Sequence, residues 1–242
     1  MIFDPSDIKQ IPFGNGMNNM IYMNNMNIMQ PNNINPMIIG MNNMTLNFYN
    51  NPFGNYIHQM NGTERIITEF NDLCNNPMTG MGLTLSLVNE SDYRKWRITL
   101  IGPNDTSYKN GLFIIEIAFP EKYPECAPEA YFITPIYHVN INPISRKVDY
   151  EDAEELGHIS IAFLNWWKPE KKMRDAILSI FALFYMNNPD EPYGLSRAEE
   201  CLENRPLYEE KIKYFTKKYA NAMSYLKGFD RTKNWDFSYP KI

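Results

Sequence analysis

The sequence predicts an α+β fold: an amphipathic helix, a meander of four antiparallel strands, a buried central helix and two C-terminal helices. Three observations carry this expectation. A capped segment of helical periodicity opens near Asn61. Four short stretches of alternating apolar residues follow, divided by turn-forming residues. The segment from Glu170 to Met186 then becomes apolar nearly all round in its second half, as a helix buried at the centre of a fold does, and two further helical stretches follow.

Asn61 and Glu64 have the spacing of a capping box, in which an N-cap side chain and the third helical residue satisfy each other's backbone donors. Ile66, Ile67, Phe70 and Leu73 continue at helical intervals. Strand-like alternation appears in Leu83, Leu85 and Leu87, then in Trp96, Ile98 and Leu100, and again in Phe113, Ile115 and Ile117. Tyr131 to Ile133 makes a short fourth strand. Asn89 to Arg94 and Asn104 to Gly111 supply turns, so the strands are expected to pair as hairpins. After the central helix, Ser196 with Glu199 reads as the cap of a short helix. Pro206 to Leu226 reads as one longer amphipathic helix.

Composition narrows the function classes. The 242 residues are 44% hydrophobic, enough for one core with extensions. A net charge of −5 offers no basic face for nucleic acid. The longest strongly apolar stretch, Ala176 to Met186, falls short of the roughly 20 residues a bilayer crossing needs. No secretory apolar core stands at the N-terminus, and the first arginine is Arg65, unlike a mitochondrial presequence. Cys74, Cys126 and Cys201 show no metal-ligand spacing, and an odd number argues against a disulfide framework. These features lead to the expectation of an intracellular protein, by default cytoplasmic, without metal or cofactor.

Three regions are expected. Residues 1–60 form a Met/Asn-rich, low-complexity extension, residues 61–227 the folded domain, and residues 228–242 an aromatic tail. Up to Asn61 the chain carries ten of its fifteen methionines and only three charges, Asp4, Asp7 and Lys9. Such a segment lacks the apolar periodicity to fold alone and is expected to be disordered. Met17, Met20, Met23, Met26 and Met29 recur every third residue, an edge of flexible thioethers suited to another protein's grooves. Compositional drift would give the same pattern. In the tail, Trp235, Phe237 and Tyr239 alternate on what reads as an extended segment, to dock into a partner or back onto the domain.

The residues at the joints of this order resemble the ubiquitin-conjugating enzymes. Gly102-Pro103, Tyr108 and Gly111 are similar to that family's strand-two hairpin, and Phe119-Pro120 through Tyr123-Pro124 and Pro128 to its FPxxYPxxPP segment. Tyr137-His138-Val139-Asn140-Ile141-Asn142 resembles YHPNIN with valine for proline. Trp167-Lys168-Pro169 resembles WSP, Asn188 to Pro192 resembles NPDDP, and Thr216 to Ala220 resembles the closing T.KYA. Six pieces in order over residues 61–227 imply the family's fold.

The resemblance also locates a chemical site. The family's G-x-I-C-L-D-I-L segment aligns with Gly157-His158-Ile159-Ser160-Ile161-Ala162-Phe163-Leu164, which places Ser160 at the nucleophile position. Serine lacks the thiolate character on which a thioester relay depends. His158 and His138 are candidate bases, although a serine–histidine pair also needs a third group to orient the imidazole. Both are expected to be partly exposed structural residues. By resemblance, Asn140 would stabilise an oxyanion or order the loop, with ordering the expected role, and Glu191 would help deprotonate an incoming lysine. Ala162 replaces the family's aspartate. Several departures at one site imply natural erosion more than a single engineered replacement.

Residues 143–156 form an insertion carrying Asp149, Glu151, Asp152, Glu154 and Glu155, read as a solvated loop or as a dock for a basic partner. Glu125 and Glu170 stand where the resemblance implies apolar or small residues that meet ligases, and charge there penalises such contact. The resulting expectation is a non-catalytic subunit that binds proteins in a larger assembly through residues 1–60 and the tails. The alternatives are a regulatory cofactor binding ubiquitin or an active conjugating enzyme, and an active transferase using Ser160 or another residue.

Overall fold

A computed structural model of the chain describes residues 21–22, 60–144, 156–229 and 233–240. Helix α1 (Gly62–Asn75) opens on the capping box: Asn61 Oδ1 accepts the Glu64 N–H at 3.0 Å, and the Glu64 carboxylate accepts the Asn61 N–H at 3.2 Å. Its apolar stripe buries Ile66 and Leu73. Replacing Asn61 by alanine is expected to cost about 1 kcal/mol. A lowered urea midpoint would register the loss. An unchanged midpoint would show that packing alone holds the helix start.

The expected meander is formed by β2 (Thr84–Asn89), β3 (Asp92–Ile101), β4 (Leu112–Ala118) and β5 (Glu129–Phe132), paired antiparallel in sequence order. A two-residue strand from the N-terminal extension, β1 (Ile21–Tyr22), pairs with the β2 edge at Leu85 and Thr84. The remaining expectations for residues 1–60, including the methionine series, lie outside the described residues. Register explains the alternation. Trp96 faces Ile117, Ile98 faces Ile115 and Leu100 faces Phe113, and all six are at most 1% exposed. Between them Arg97 pairs with Glu116 on the opposite face, at 2.7 Å.

A one-turn helix, α2 (Ala162–Asn165), precedes the central helix α3 (Met173–Ala182). The latter begins later than the expected Glu170. The Arg65 guanidinium donates to the carbonyls of Pro169 and Lys171, which keeps that stretch out of the helix. Glu69 then accepts the Met173 N–H, so a carboxylate from α1 caps the start of α3.

The next expectations need correction. Helix α4 (Leu195–Glu203) is capped by Gly194 without a side-chain bond, and Ser196 lies inside its first turn. The Tyr193 N–H is fixed on the Val139 carbonyl at 2.7 Å, so the chain is already positioned to turn helical at Leu195. The single helix expected to reach Leu226 is two: α5 (Arg205–Tyr219) and α6 (Ala222–Lys227). Its break has a cause. The Ala220 carbonyl accepts the Leu112 N–H of β4 at 3.0 Å, leaving the helical ladder for the sheet. Asn221 then caps both sides, donating to the Lys217 and Lys218 carbonyls and accepting the Ser224 N–H.

The tail docks on its own domain, which decides between the two alternatives left by the sequence. Phe237 packs edge-on against Phe215 (4.9 Å between centroids) and Tyr137 (5.5 Å), while Tyr239 meets Tyr214 at 5.3 Å. No helix among the described residues is long and apolar enough to cross a membrane.

Candidate functional site

Residues 157–160 run extended between the end of β5 and the segment 138–142. On one side the Phe132 N–H donates to the Gly157 carbonyl and the Ile159 N–H to that of Ala130. On the other the Asn142 N–H donates to the His158 carbonyl, and the Ser160 N–H donates to that of Asn140 at 3.1 Å. Two-residue alternation sends Ile159 into the core, 1% exposed, and leaves His158 and Ser160 half-buried on the other face. Gly157 is obligatory. Its φ is +82°, and a Cβ there would come within 2.0 Å of the Phe132 carbonyl oxygen.

Ser160 leads directly into α2, and its hydroxyl accepts from the Asn165 amide of that turn at 3.2 Å. His158 turns elsewhere: its Nδ1 meets the Tyr193 hydroxyl, and its ring lies edge-on to Tyr131 at 5.4 Å. Among the described residues, no imidazole is hydrogen-bonded to the Ser160 hydroxyl.

His138 corrects the expectation of partial exposure, for it is fully buried. Nδ1 accepts the Asn140 N–H at 3.0 Å, so the proton sits on Nε2, which donates to the Leu183 and Met186 carbonyls at 3.0 and 3.2 Å. Burial lowers its pKa to about 4 against the favourable pull of those carbonyls. This ring splices the end of α3 to the segment lining the site.

Asn140 is a splice of the same kind. Its amide donates to the Asn188 and Glu191 carbonyls at 2.8 and 2.9 Å, and its Oδ1 accepts the Asn188 N–H at 2.9 Å. At 2% exposure, its two donors are both committed to the 188–191 loop. Glu191 joins the site through its backbone carbonyl, and its residue is otherwise exposed. Thus the structure brings His138, Asn140 and the Ser160 backbone together, and leaves the Glu191 side chain at the surface.

Val139 uses a donor that the proline implied by the resemblance would not have. Its N–H, which proline lacks, donates to the Tyr208 hydroxyl at 3.1 Å, and that hydroxyl donates to Asn187 Oδ1 at 2.9 Å. Sequence reasoning missed this relay, and also Arg197, which is buried with its guanidinium between the Tyr137 and Phe237 rings. The Arg65–Glu69 pair was missed too, although its i,i+4 spacing on a helix was a usable signal. Ala162, Glu125, Glu170 and Trp166 are exposed, the last at 74%.

Comparison with known proteins fits this geometry. The model of a family described as ubiquitin-conjugating enzyme matches residues 65–216. A ubiquitin-conjugating enzyme E2 13 of Schizosaccharomyces pombe is 33% identical over 158 residues, covering 65% of this chain and 97% of the relative. A ubiquitin-conjugating enzyme E2 N of Drosophila melanogaster is 34% identical over 157 residues, covering 64% and 94%. Among solved structures, a ubiquitin-conjugating enzyme E2 domain of Toxoplasma gondii superposes with a TM-score of 0.54 at 29% identity, over 66% of this chain and 99% of that one. A putative ubiquitin-conjugating enzyme of Plasmodium yoelii gives 0.55 at 27% identity, over 67% and 97%.

Proposed function

This chain belongs to the ubiquitin-conjugating enzyme family, and from that premise we propose that it has kept the fold and lost the chemistry, serving as a protein-binding or structural subunit. The reading rests on Ser160, which takes the nucleophile position in our alignment with the family's motif, and whose hydroxyl accepts from Asn165. A thiol in that place would be partly ionised at neutral pH and intrinsically nucleophilic; a serine hydroxyl needs a base. His138 is neutral, buried and engaged at both nitrogens, and His158 Nδ1 is turned to Tyr193. An ester on serine would also be a poorer donor to an amine than a thioester.

The neighbouring groups support the same reading. Asn140's amide hydrogens are spent on the 188–191 loop, so a purely structural role accounts for its presence. Contact surface remains. Trp166, Leu178, Tyr185 and Met186 are exposed on the segment that follows Ser160 and on and just beyond α3, and Trp166 and Tyr185 are of the residue types that dominate protein interfaces. Those residues also suit the second reading, a regulatory role in which ubiquitin or an active conjugating enzyme is bound without a covalent step.

The test is a charging assay of the full chain with activating enzyme, ATP and ubiquitin. No ATP-dependent adduct is expected on the natural protein. An adduct resistant to thiol, cleaved by hydroxylamine and absent from Ser160→Ala would overturn the proposal in favour of an active transferase. Non-covalent ubiquitin binding in the same preparation, measured by titration, would move the reading from structural subunit to regulatory cofactor.

A further inference from the structure

The aromatic tail reaches the site's frame at two points. The backbone N–H of Trp235 donates to the Pro143 carbonyl at 3.3 Å, and the indole lies against Gly157, where a Cβ would come within 3.2 Å of the ring. Pro143 is the first residue of the insertion and Gly157 the first residue after it. Directly beneath them, Gly157 donates its N–H to the Asn142 carbonyl at 2.7 Å, and Asn142 donates its own to the His158 carbonyl at 3.0 Å. Two residues on, Phe237 covers Arg197 at 4.5 Å from its ring, and Arg197 donates to the His138 carbonyl at 3.3 Å. Asp236, next to Trp235, pairs with Lys218 of α5, and the far end is anchored on the same helix through Tyr239 against Tyr214.

We infer that residues 233–240 form a strap that clamps the wall carrying Ser160, holding residues 140–143 against 157–160 from outside the domain's own secondary structure. The alternation of aromatic residues is what the device needs. On an extended chain, Trp235, Phe237 and Tyr239 project to one side and enter three successive positions on the domain surface, while Asp236 and Ser238 stay exposed. At this neck the segment 157–160 is held by short pairings only: an isolated bridge of His158 with Tyr131 at the end of β5 on one side, and one of Ile159 with Ile141 on the other. Short pairings open easily unless something external covers them. Trp235 supplies the cover. Occupancy of the strap therefore sets the rigidity of the wall on which any partner of the Ser160 region would dock. This holds whether or not the chain is catalytic.

Hydrogen exchange read by mass spectrometry on the full chain tests the coupling, comparing natural protein with Trp235→Ala. Peptides covering 140–144 and 156–160 are expected to exchange at least about tenfold faster in the variant, while α1 and the β3–β4 pair keep their protection. Phe237→Ala, which loosens the strap at its middle, is expected to produce the same local change. Unaltered exchange at the neck would overturn the inference. So would an equal acceleration everywhere, since the tail would then be general ballast for stability and not a clamp on this wall.

Discussion

Glu69→Ala is expected to destabilise the fold by about 3–5 kcal/mol, the range found when one partner of a buried ion pair is removed and the other is left charged. The Arg65 side chain is 1% exposed and that of Glu69 is 11%, with Nε and Oε1 at 2.8 Å. The carboxylate does more than neutralise the guanidinium. It accepts the Tyr123 hydroxyl at 2.7 Å and the Met173 N–H at the start of α3. Burial first, and then the Glu69 charge, push the Tyr123 phenol well above its ordinary range, so it remains a donor across accessible pH. Alanine at 69 would orphan three donors at once. Arg65 would still reach the Pro169 and Lys171 carbonyls, but as a charge with no counter-charge beside it. Replacing both members by apolar residues, Arg65→Met with Glu69→Leu, is expected to recover only the part of the loss that comes from the unpaired charge, because the Tyr123 hydroxyl and the Met173 N–H stay without their acceptor. A urea-denaturation cycle over the two singles and the double would show it as a coupling of opposite sign to the single losses. If Glu69→Ala alone shifted stability by less than about 1 kcal/mol, the network would be no more than a surface pair.

The same pair shows where sequence reading reached its limit. Capping at Asn61 and the β2–β5 meander were legible because each rests on neighbours in the chain: a three-residue cap and a two-residue alternation. The late start of α3 was not, because Arg65, over a hundred residues upstream, withholds Pro169 and Lys171 from the helix. The break after Tyr219 escaped for the same reason, since apolar periodicity runs on to Leu226 and only the pull of Leu112 on the Ala220 carbonyl interrupts it. At the site, the motif made His138 a candidate base and a partly exposed structural residue. Its burial depends on α3 ending where the Leu183 and Met186 carbonyls can accept its Nε2–H, which no local pattern records.

That burial leads to the second large effect, on stability against pH. His138 has its pKa lowered from 6.5 to about 4, chiefly by burial. In the unfolded chain it takes a proton as pH falls through 6.5, whereas the folded protein takes none until pH approaches 4. The unfolded state therefore binds more protons in that window, and stability falls as pH falls. The contribution is complete above 6.5, declines between 6.5 and 4, and is constant below. A separation of that size corresponds to about 3 kcal/mol in all, at roughly 1.4 kcal/mol per pH unit. Groups facing His138 add to the cost of a charge there: Arg197 donates to its carbonyl, and Arg205 also opposes protonation. Urea midpoints measured from pH 7 to 5, above most carboxylate titration, are expected to drop steadily in the natural protein. The drop should flatten in His138→Gln and persist in His158→Gln. Equal slopes in all three proteins would mean His138 is protonated in the fold, with the Leu183 and Met186 carbonyls no longer fixing a single tautomer. A steep slope abolished only by His138→Gln would show that this imidazole stays neutral to spare the fold a buried charge, which makes it a weak base, and both its nitrogens are already engaged away from Ser160.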